Sequence, residues 1–418
     1  MKKLHWADWA AIGIILLLTV LYAWTLPDVP FHPDESTHIY MSEDISQDPL
    51  DLAWDGSLPL SDQERVRAID APLARYLIGG TRQLFSIQPL TADWNWGLSW
   101  EENQSAGALP SSRQLLFSRS VMVLLLPFSL WFFYLALKKI LPPIPALAAV
   151  LLLGLNPLLL LHGRRAMSES PLIFGTTLFL WAVTREKRNP WLIGLALGIA
   201  VNAKHSAVGL IPAALMGLVL LPQGFPGLKE AVLNLLKTTL VMIFTILLLN
   251  PFYWKHPLGA LEKGIKARFS LASDQQEDHL GQYDLEGSPL KITIPALFLN
   301  TYLTPPQIEE VGNYLDETEE TRELYLANPF HTWGRDKISG SILAALSFLG
   351  LGFAFRGFSE RSPEEKNNLL IFVLATLGIG ITLIFLLPWQ RYVVAILPFA
   401  ISWIGSGLVP IFKVGKKT

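Results

Sequence analysis

Ala10-Ala11-Ile12-Gly13-Ile14-Ile15-Leu16-Leu17-Leu18-Thr19-Val20-Leu21-Tyr22-Ala23-Trp24 is an uncharged apolar run, and it is followed closely by Phe31-His32-Pro33-Asp34-Glu35-Ser36. Two adjacent carboxylates therefore sit within a few residues of an apolar segment. With Met1-Lys2-Lys3 before it, the run looks like a signal peptide, but no small-x-small cleavage site follows, so it reads as an uncleaved first span with a cytoplasmic N-terminus. Acids held this close to a bilayer are costly and point to function by default. Pro33 fixes its own φ and disfavours helix at His32, so a new helix is expected to start here and run through Tyr40. Asp34 would suit its N-cap.

The rest of the composition agrees with a membrane. Of 418 residues 51% are hydrophobic and only 16% charged, and the apolar ones cluster in runs of spanning length. Further runs fall at about 115–137, 143–161, 168–184, 191–221, 231–250, 338–355, 368–387 and 393–412. The 191–221 run is interrupted by Asn202-Ala203-Lys204-His205 and reads as two short spans meeting at Lys204. The expectation is an all-α polytopic protein of about ten transmembrane helices, one integral membrane domain over 1–418, with large polar loops at 27–113 and 251–337. The first loop carries amphipathic helix, including 63–85. There is no cysteine, which excludes disulfides, thiolate catalysis and cysteine-bound zinc or iron–sulfur sites. The 14 tryptophans suit interfacial belts and identify no function.

Charge distribution sets the orientation. Lys138, Lys139, Arg185, Lys187, Arg188, Arg356, Arg361, Lys413, Lys416 and Lys417 all follow spans that end on the N-terminal side. By the positive-inside rule both termini are cytoplasmic and both large loops lie outside. Nearly all the acids lie out there too, for example Glu309-Glu310 and Asp316-Glu317-Thr318-Glu319-Glu320, which reads as a solvated helix face. No internal repeat is visible, which weighs against the common transporter folds. Asn103-Gln104-Ser105 is a glycosylation sequon, meaningful only in a eukaryotic secretory membrane.

Four cations break the rule, because Arg164, Arg165, Lys204 and Arg391 fall in short external turns. A charge such as Lys204 within an apolar hairpin costs roughly 2.5–3.5 kcal/mol unless it is interfacial or paired. Snorkelling or pairing with Glu169 would account for any one of them. Together they would form an anion site at headgroup depth, where a lipid phosphate is the simplest anion. Carboxylates beside such a pocket suit transfer of a sugar from a polyprenyl phosphate. The phosphate leaves without a general acid when cations neutralise its charge, and a base takes the proton of the acceptor hydroxyl.

At this point the motifs resemble the GT-C superfamily of polyprenyl-phosphate-dependent glycosyltransferases, with protein O-mannosyltransferases and bacterial aminoarabinose transferases as the nearest kin. Pro33-Asp34-Glu35-Ser36 with Tyr40 is similar to the family's Asp-Glu-x-x-x-Tyr signature, and the match implies Asp34 as catalytic base, with Glu35 beside it and Tyr40 in support. Ile69-Asp70-Ala71-Pro72-Leu73-Ala74-Arg75 resembles a His/Lys-Pro-Pro-Leu-x-Lys segment, with Ala71 for the first proline and Arg75 for the lysine. That match implies Arg75 at the donor phosphate and Asp70 in support. Arg164-Arg165-Ala166-Met167-Ser168-Glu169 resembles an Arg-x-x-x-x-Asp/Glu loop. Gly198 to Lys204 resembles a hairpin whose lysine meets the carrier phosphate, and Pro388-Trp389-Gln390-Arg391-Tyr392 looks like the final external turn.

The resemblance implies an inverting membrane glycosyltransferase in a bacterial plasma membrane. Its donor would be a polyprenyl-phosphate sugar, its acceptor a protein, lipid or glycan hydroxyl, and no nucleic acid is expected. A polyprenyl-lipid transporter or flippase without catalysis is the alternative. Metal dependence stays open. His256 and His279, with Asp70 or Glu169, would be the ligands of a divalent ion, although no His-x-x-x-His spacing supports one.

Overall fold

Prolines and polar caps cut the apolar sequence into its helices. The computed structural model describes residues 4–219, 227–283, 289–309 and 312–414, and every regular element among them is helical. Six helices are long and apolar enough to cross a membrane: Trp6–Trp24, Ser112–Leu137, Leu228–Leu249, Lys337–Phe355, Pro363–Ile384 and Gln390–Phe412. Four shorter apolar helices are Pro143–Gly154, Glu169–Val183, Pro190–Ala203 and His205–Val219. Each apolar run of the sequence falls on helix among the described residues, some of the runs on more than one.

Where the sequence led to a continuous span over 143–161, the structure has two pieces. Pro143–Gly154 stops, Asn156 caps the next turn by accepting from the Leu158 amide at 3.0 Å, and Pro157–His162 follows as a separate helix. Pro157 has no N–H to give to the preceding turn, so a straight helix is lost. The helix expected over 63–85 is likewise split into Asp62–Ile69 and Leu73–Leu84, because Pro72 keeps Ala71 out of the helical region. Lys204 is extended (φ −160°, ψ 133°) between Pro190–Ala203 and a 3-10 turn, His205–Leu210.

The region 251–337 is more than a polar loop. Within it, Pro289–Tyr302 packs against Lys337–Phe355, Pro363–Ile384 and Gln390–Ile396. Its sequence, Leu290-Lys291-Ile292-Thr293-Ile294-Pro295, is too short and too interrupted to stand out by hydropathy alone. The acidic helix Leu315–Ala327 does turn Asp316, Glu317, Glu319 and Glu320 to solvent.

Small residues let the helices approach closely. A Cβ on Gly350 would strike the Trp403 carbonyl, and one on Gly407 would strike that of Leu346, so Lys337–Phe355 and Leu397–Val414 cross backbone to backbone. Leu16, Leu17 and Val20 on the first span and Leu236, Leu240 and Phe244 on Leu228–Leu249 face outward, as lipid contact requires.

Charged contacts sort the chain into two ends. At one end Asp8 holds Lys138 and accepts from the Tyr134 hydroxyl at 3.0 Å, while Lys139 reaches Glu186 at 2.9 Å and Glu364 at 3.3 Å. The start of the first span and the loops after Ser112–Leu137, after Glu169–Val183 and before Pro363–Ile384 therefore share that end. The acid helix, Pro33–Met41, lies beyond the far end of the first span. We expect the first end to be cytoplasmic, given its cations. In intact cells an impermeant maleimide should label Ser61→Cys and spare Ser362→Cys, both positions being exposed. Labelling of the second but not the first would reverse the orientation.

Candidate functional site

The first loop builds the site around Pro33–Met41. His32, not Asp34, is the N-cap: its Nδ1 accepts from the Asp34 amide at 3.1 Å, and the Glu35 carboxylate accepts from the His32 amide at 3.2 Å. This reciprocal cap satisfies the free amides of the first turn and leaves the Asp34 carboxylate available for other work. Consecutive helical residues diverge by about 100°, so Asp34 and Glu35 face different surroundings.

Glu35 points inward and is fully buried. Arg119, from Ser112–Leu137, donates to it through Nε at 2.8 Å and Nη2 at 2.7 Å, and the Ala166 amide donates at 2.8 Å. Arg119 also donates to the Val29 carbonyl at 2.7 Å. Burial pushes the Glu35 carboxyl up, but Arg119, Arg165 and the Ala166 amide outweigh it and hold it below the usual range. Asp34 faces the other way, its side chain 30% exposed, and pairs with Arg391. Burial raises its carboxyl too, yet Arg391, His32 and His38 together hold it well below the usual range.

Lys204 and Arg391 share one ring. The Lys204 ammonium lies 4.8 Å and the Arg391 guanidinium 5.3 Å from the centre of Tyr392, which stacks on Trp389 at 5.8 Å. Glu169 holds Lys204 at 2.6 Å through Oε1, while its buried Oε2 has no hydrogen-bond partner. Beside this cluster, Thr293, Leu297, Asn300, Leu383, Leu387, Pro388, Trp389, Tyr392 and Val393 line a small cleft. Cations and an aromatic ring thus lie next to the partly exposed Asp34.

The other cations singled out in the sequence sit elsewhere. Arg164 is buried, bonds to Thr25 and to the Tyr325 hydroxyl at 3.0 Å, and lies over the Tyr22 and Tyr325 rings. Arg165 is buried as well and donates to the Ile308 carbonyl at 2.8 Å. Both tie the loop before Glu169–Val183 to its neighbours. Arg75 is buried against Asp44 at 3.1 Å, and Arg67 holds the same carboxylate at 2.7 Å. The phosphate role that the resemblance implied for Arg75 finds that guanidinium occupied in the first loop. Tyr40 accepts from Gln63 at 2.7 Å and so fastens the acid helix to Asp62–Ile69.

Asp70 ends Asp62–Ile69, close enough to His38 and Asp93 for its charge to act on both. Burial pushes His38 down, against the pull of Asp70, Asp34 and Glu169. Asp93 lies on the same side: it bonds to Thr37, one turn beyond Asp34, and burial together with the charges of Asp34 and Asp70 pushes its carboxyl up to about 6. Among the described residues no group of three His, Asp or Glu is arranged to hold a metal ion. His256 packs edge-on against Trp54 at 6.1 Å, and the His279 side chain lies outside the described residues. The ligand set suggested by the sequence is therefore not assembled among the described residues.

Three residues that sequence reading passed over are important here. Arg119 lies inside an apolar span, where a charge is itself a signal. Asp93 and His162 gave no such signal, since only folding brings them near the acid helix and the external turns. Gln390 also organises the site: its side chain accepts from the Gln307 amide at 2.6 Å and donates to the Pro305 carbonyl at 2.9 Å, which pins the final turn to the second loop.

With this geometry in hand, comparison with solved structures is informative. The Archaeoglobus fulgidus oligosaccharyltransferase, in complex with zinc and sulfate, aligns over 98% of this chain at 15% identity with a TM-score of 0.52. The same enzyme, AglB, in complex with an inhibitory peptide and a dolichol-phosphate, aligns over 97% at 13% identity and 0.52. This chain and the archaeal oligosaccharyltransferase share a fold. A profile described as dolichyl-phosphate-mannose-protein mannosyltransferase matches residues 112–254, which include Arg119, Glu169 and Lys204. The S. cerevisiae protein O-mannosyltransferase complex Pmt1-Pmt2 bound to the sugar donor aligns over 69% of this chain and 36% of its own at 15% identity and a TM-score of 0.37, too low to bear on the fold. No curated sequence matches the chain. The chain spans about half the length of the archaeal structures, 49% and 50%.

Two outcomes follow from the electrostatics of this site. Glu35→Gln leaves Arg119 buried without its counter-charge and should destabilise the protein by about 3–5 kcal/mol, read as a large drop in thermal midpoint in detergent. Asp93→Asn should act in the opposite sense. A carboxyl whose folded pKa is raised binds its proton more tightly when folded, so its contribution falls as pH rises from about 4 through about 6. The variant should therefore melt higher than wild type at pH 8, and the gain should shrink below pH 6 and vanish near pH 4.

Proposed function

We propose that this protein is a membrane glycosyltransferase that moves a sugar from a polyprenyl-phosphate carrier to an acceptor hydroxyl on the extracytoplasmic side, with inversion. The observation that supports it most is the pairing of half-exposed Asp34 with Arg391, next to Lys204 on the shared Tyr392 ring. The complex of AglB with dolichol-phosphate supports the donor class, and the mannosyltransferase profile supports transfer from such a lipid. The acceptor is a protein, lipid or glycan hydroxyl, the setting a bacterial plasma membrane.

In this reading the donor phosphate enters beside Lys204 and Arg391 and competes with Asp34 for the guanidinium. A carboxylate held by Arg391 is a weak base. Transfer of Arg391 to the phosphate would free Asp34 only when donor is bound. The bond between the anomeric carbon and the phosphate oxygen then breaks, and the phosphate leaves with the electron pair under the charge of Lys204 and Arg391. The acceptor oxygen bonds to the opposite face of that carbon, and its proton passes to Asp34. Glu169 positions Lys204. Glu35 supports the loop on which Asp34 stands.

Assaying purified protein with a synthetic polyprenyl-phosphate sugar tests the reading. Asp34→Asn should leave the fold and donor binding intact and lower turnover by about 10²–10⁴. Because His32 caps the helix, loss of the Asp34 charge costs no cap. Near-normal transfer by the folded variant would remove Asp34 as the base.

A further inference from the structure

His162 ends the short helix Pro157–His162, which packs against Gln390–Ile396. Its side chain is 1% exposed, and neither ring nitrogen has a hydrogen-bond partner. Leaving such a group unsatisfied in the interior costs about 1–3 kcal/mol. The ring lies within electrostatic reach of Arg165, His32, Arg391 and Lys204, which belong to different parts of the chain. Cations offer it donors, whereas an imidazole N–H needs an acceptor.

Carboxylates of the site hold cations, although Oε2 of Glu169 stays without a partner. Asp34 holds Arg391, Glu35 holds Arg119 and the Ala166 amide, and Glu169 holds Lys204 through Oε1. Among the described residues no acceptor reaches either ring nitrogen, and the positive charge within electrostatic reach favours an anionic oxygen there. Resting on the glycosyltransferase reading, we infer that His162 donates a ring N–H to the phosphate of the lipid-linked donor, as an uncharged third contact beside Lys204 and Arg391. Such a contact requires one tautomer, N–H toward the phosphate, and adds directionality that an ammonium lacks. The ring then binds donor and leaving phosphate alike and takes no proton in the reaction.

The test uses the full chain in nanodiscs with farnesyl phosphate as probe and farnesol as its uncharged control. His162→Phe keeps the ring volume and removes both nitrogens. It should weaken farnesyl phosphate binding roughly 10- to 100-fold, the range for one hydrogen bond to a charged group, and leave farnesol unchanged. His162→Asn, which keeps an N–H donor, should recover part of the loss. If His162→Phe does not fold, the wild-type ring ¹⁵N resonances, assigned by their absence in His162→Asn, should shift on titration with farnesyl phosphate but not farnesol. Unchanged farnesyl phosphate affinity in folded His162→Phe, or unshifted resonances, would overturn the inference and leave the ring with a partner such as the free Glu169 oxygen. Wild type that binds farnesyl phosphate no better than farnesol would instead overturn the glycosyltransferase reading, and the inference with it.

Discussion

The buried pair between Glu35 and Arg119 is the contact on which the rest of the site depends. It joins the acid helix to the second span, and through the Ala166 amide it also fixes the loop before Glu169–Val183. Removing two charges from water is expensive, and the cost is offset only when every lone pair and N–H finds a partner. Here the Glu35 carboxylate receives Arg119 twice, the Ala166 amide and the His32 amide, while Arg119 also donates to Val29. That completeness sets where the helix starts and how it is rotated. Asp34 can face Arg391 because its neighbour faces Arg119.

The four cations that break the positive-inside rule divide by what surrounds them. Arg164 and Arg165 are enclosed by carbonyls, hydroxyls and tyrosine rings, and they act as staples between the first span, the second loop and the loop they sit in. A guanidinium has enough N–H donors to satisfy several carbonyls at once, which suits this use. Lys204 and Arg391 lie by one aromatic ring, each paired with an acid, Glu169 and Asp34. Sequence position alone does not separate the two pairs.

The half-buried acids show a second division. Asp34 is held charged by a cation, while Asp93, one helical turn away through Thr37, is pushed toward neutrality by burial. Burial raises both carboxyls, and the shifts oppose because only Asp34 has cations that outweigh it.

Hydropathy runs, the proline breaks and the cation pattern were enough to determine an all-helical membrane protein, the interruption at Lys204 and the start of a helix at Pro33, because these depend on local sequence and on the exclusion of backbone polar groups from lipid. The resemblance of Pro33-Asp34-Glu35-Ser36 and of the external turns pointed to the right fold. The cap at His32, the partner of Glu35 and the employment of Arg75, Arg164 and Arg165 were decided only in three dimensions. The same holds for the wedge of Pro289–Tyr302 and for the enclosure of His162. Each of these pairs residues far apart in the chain, and an arginine carries the same sequence signal whether its guanidinium meets a carbonyl, a carboxylate or a substrate phosphate.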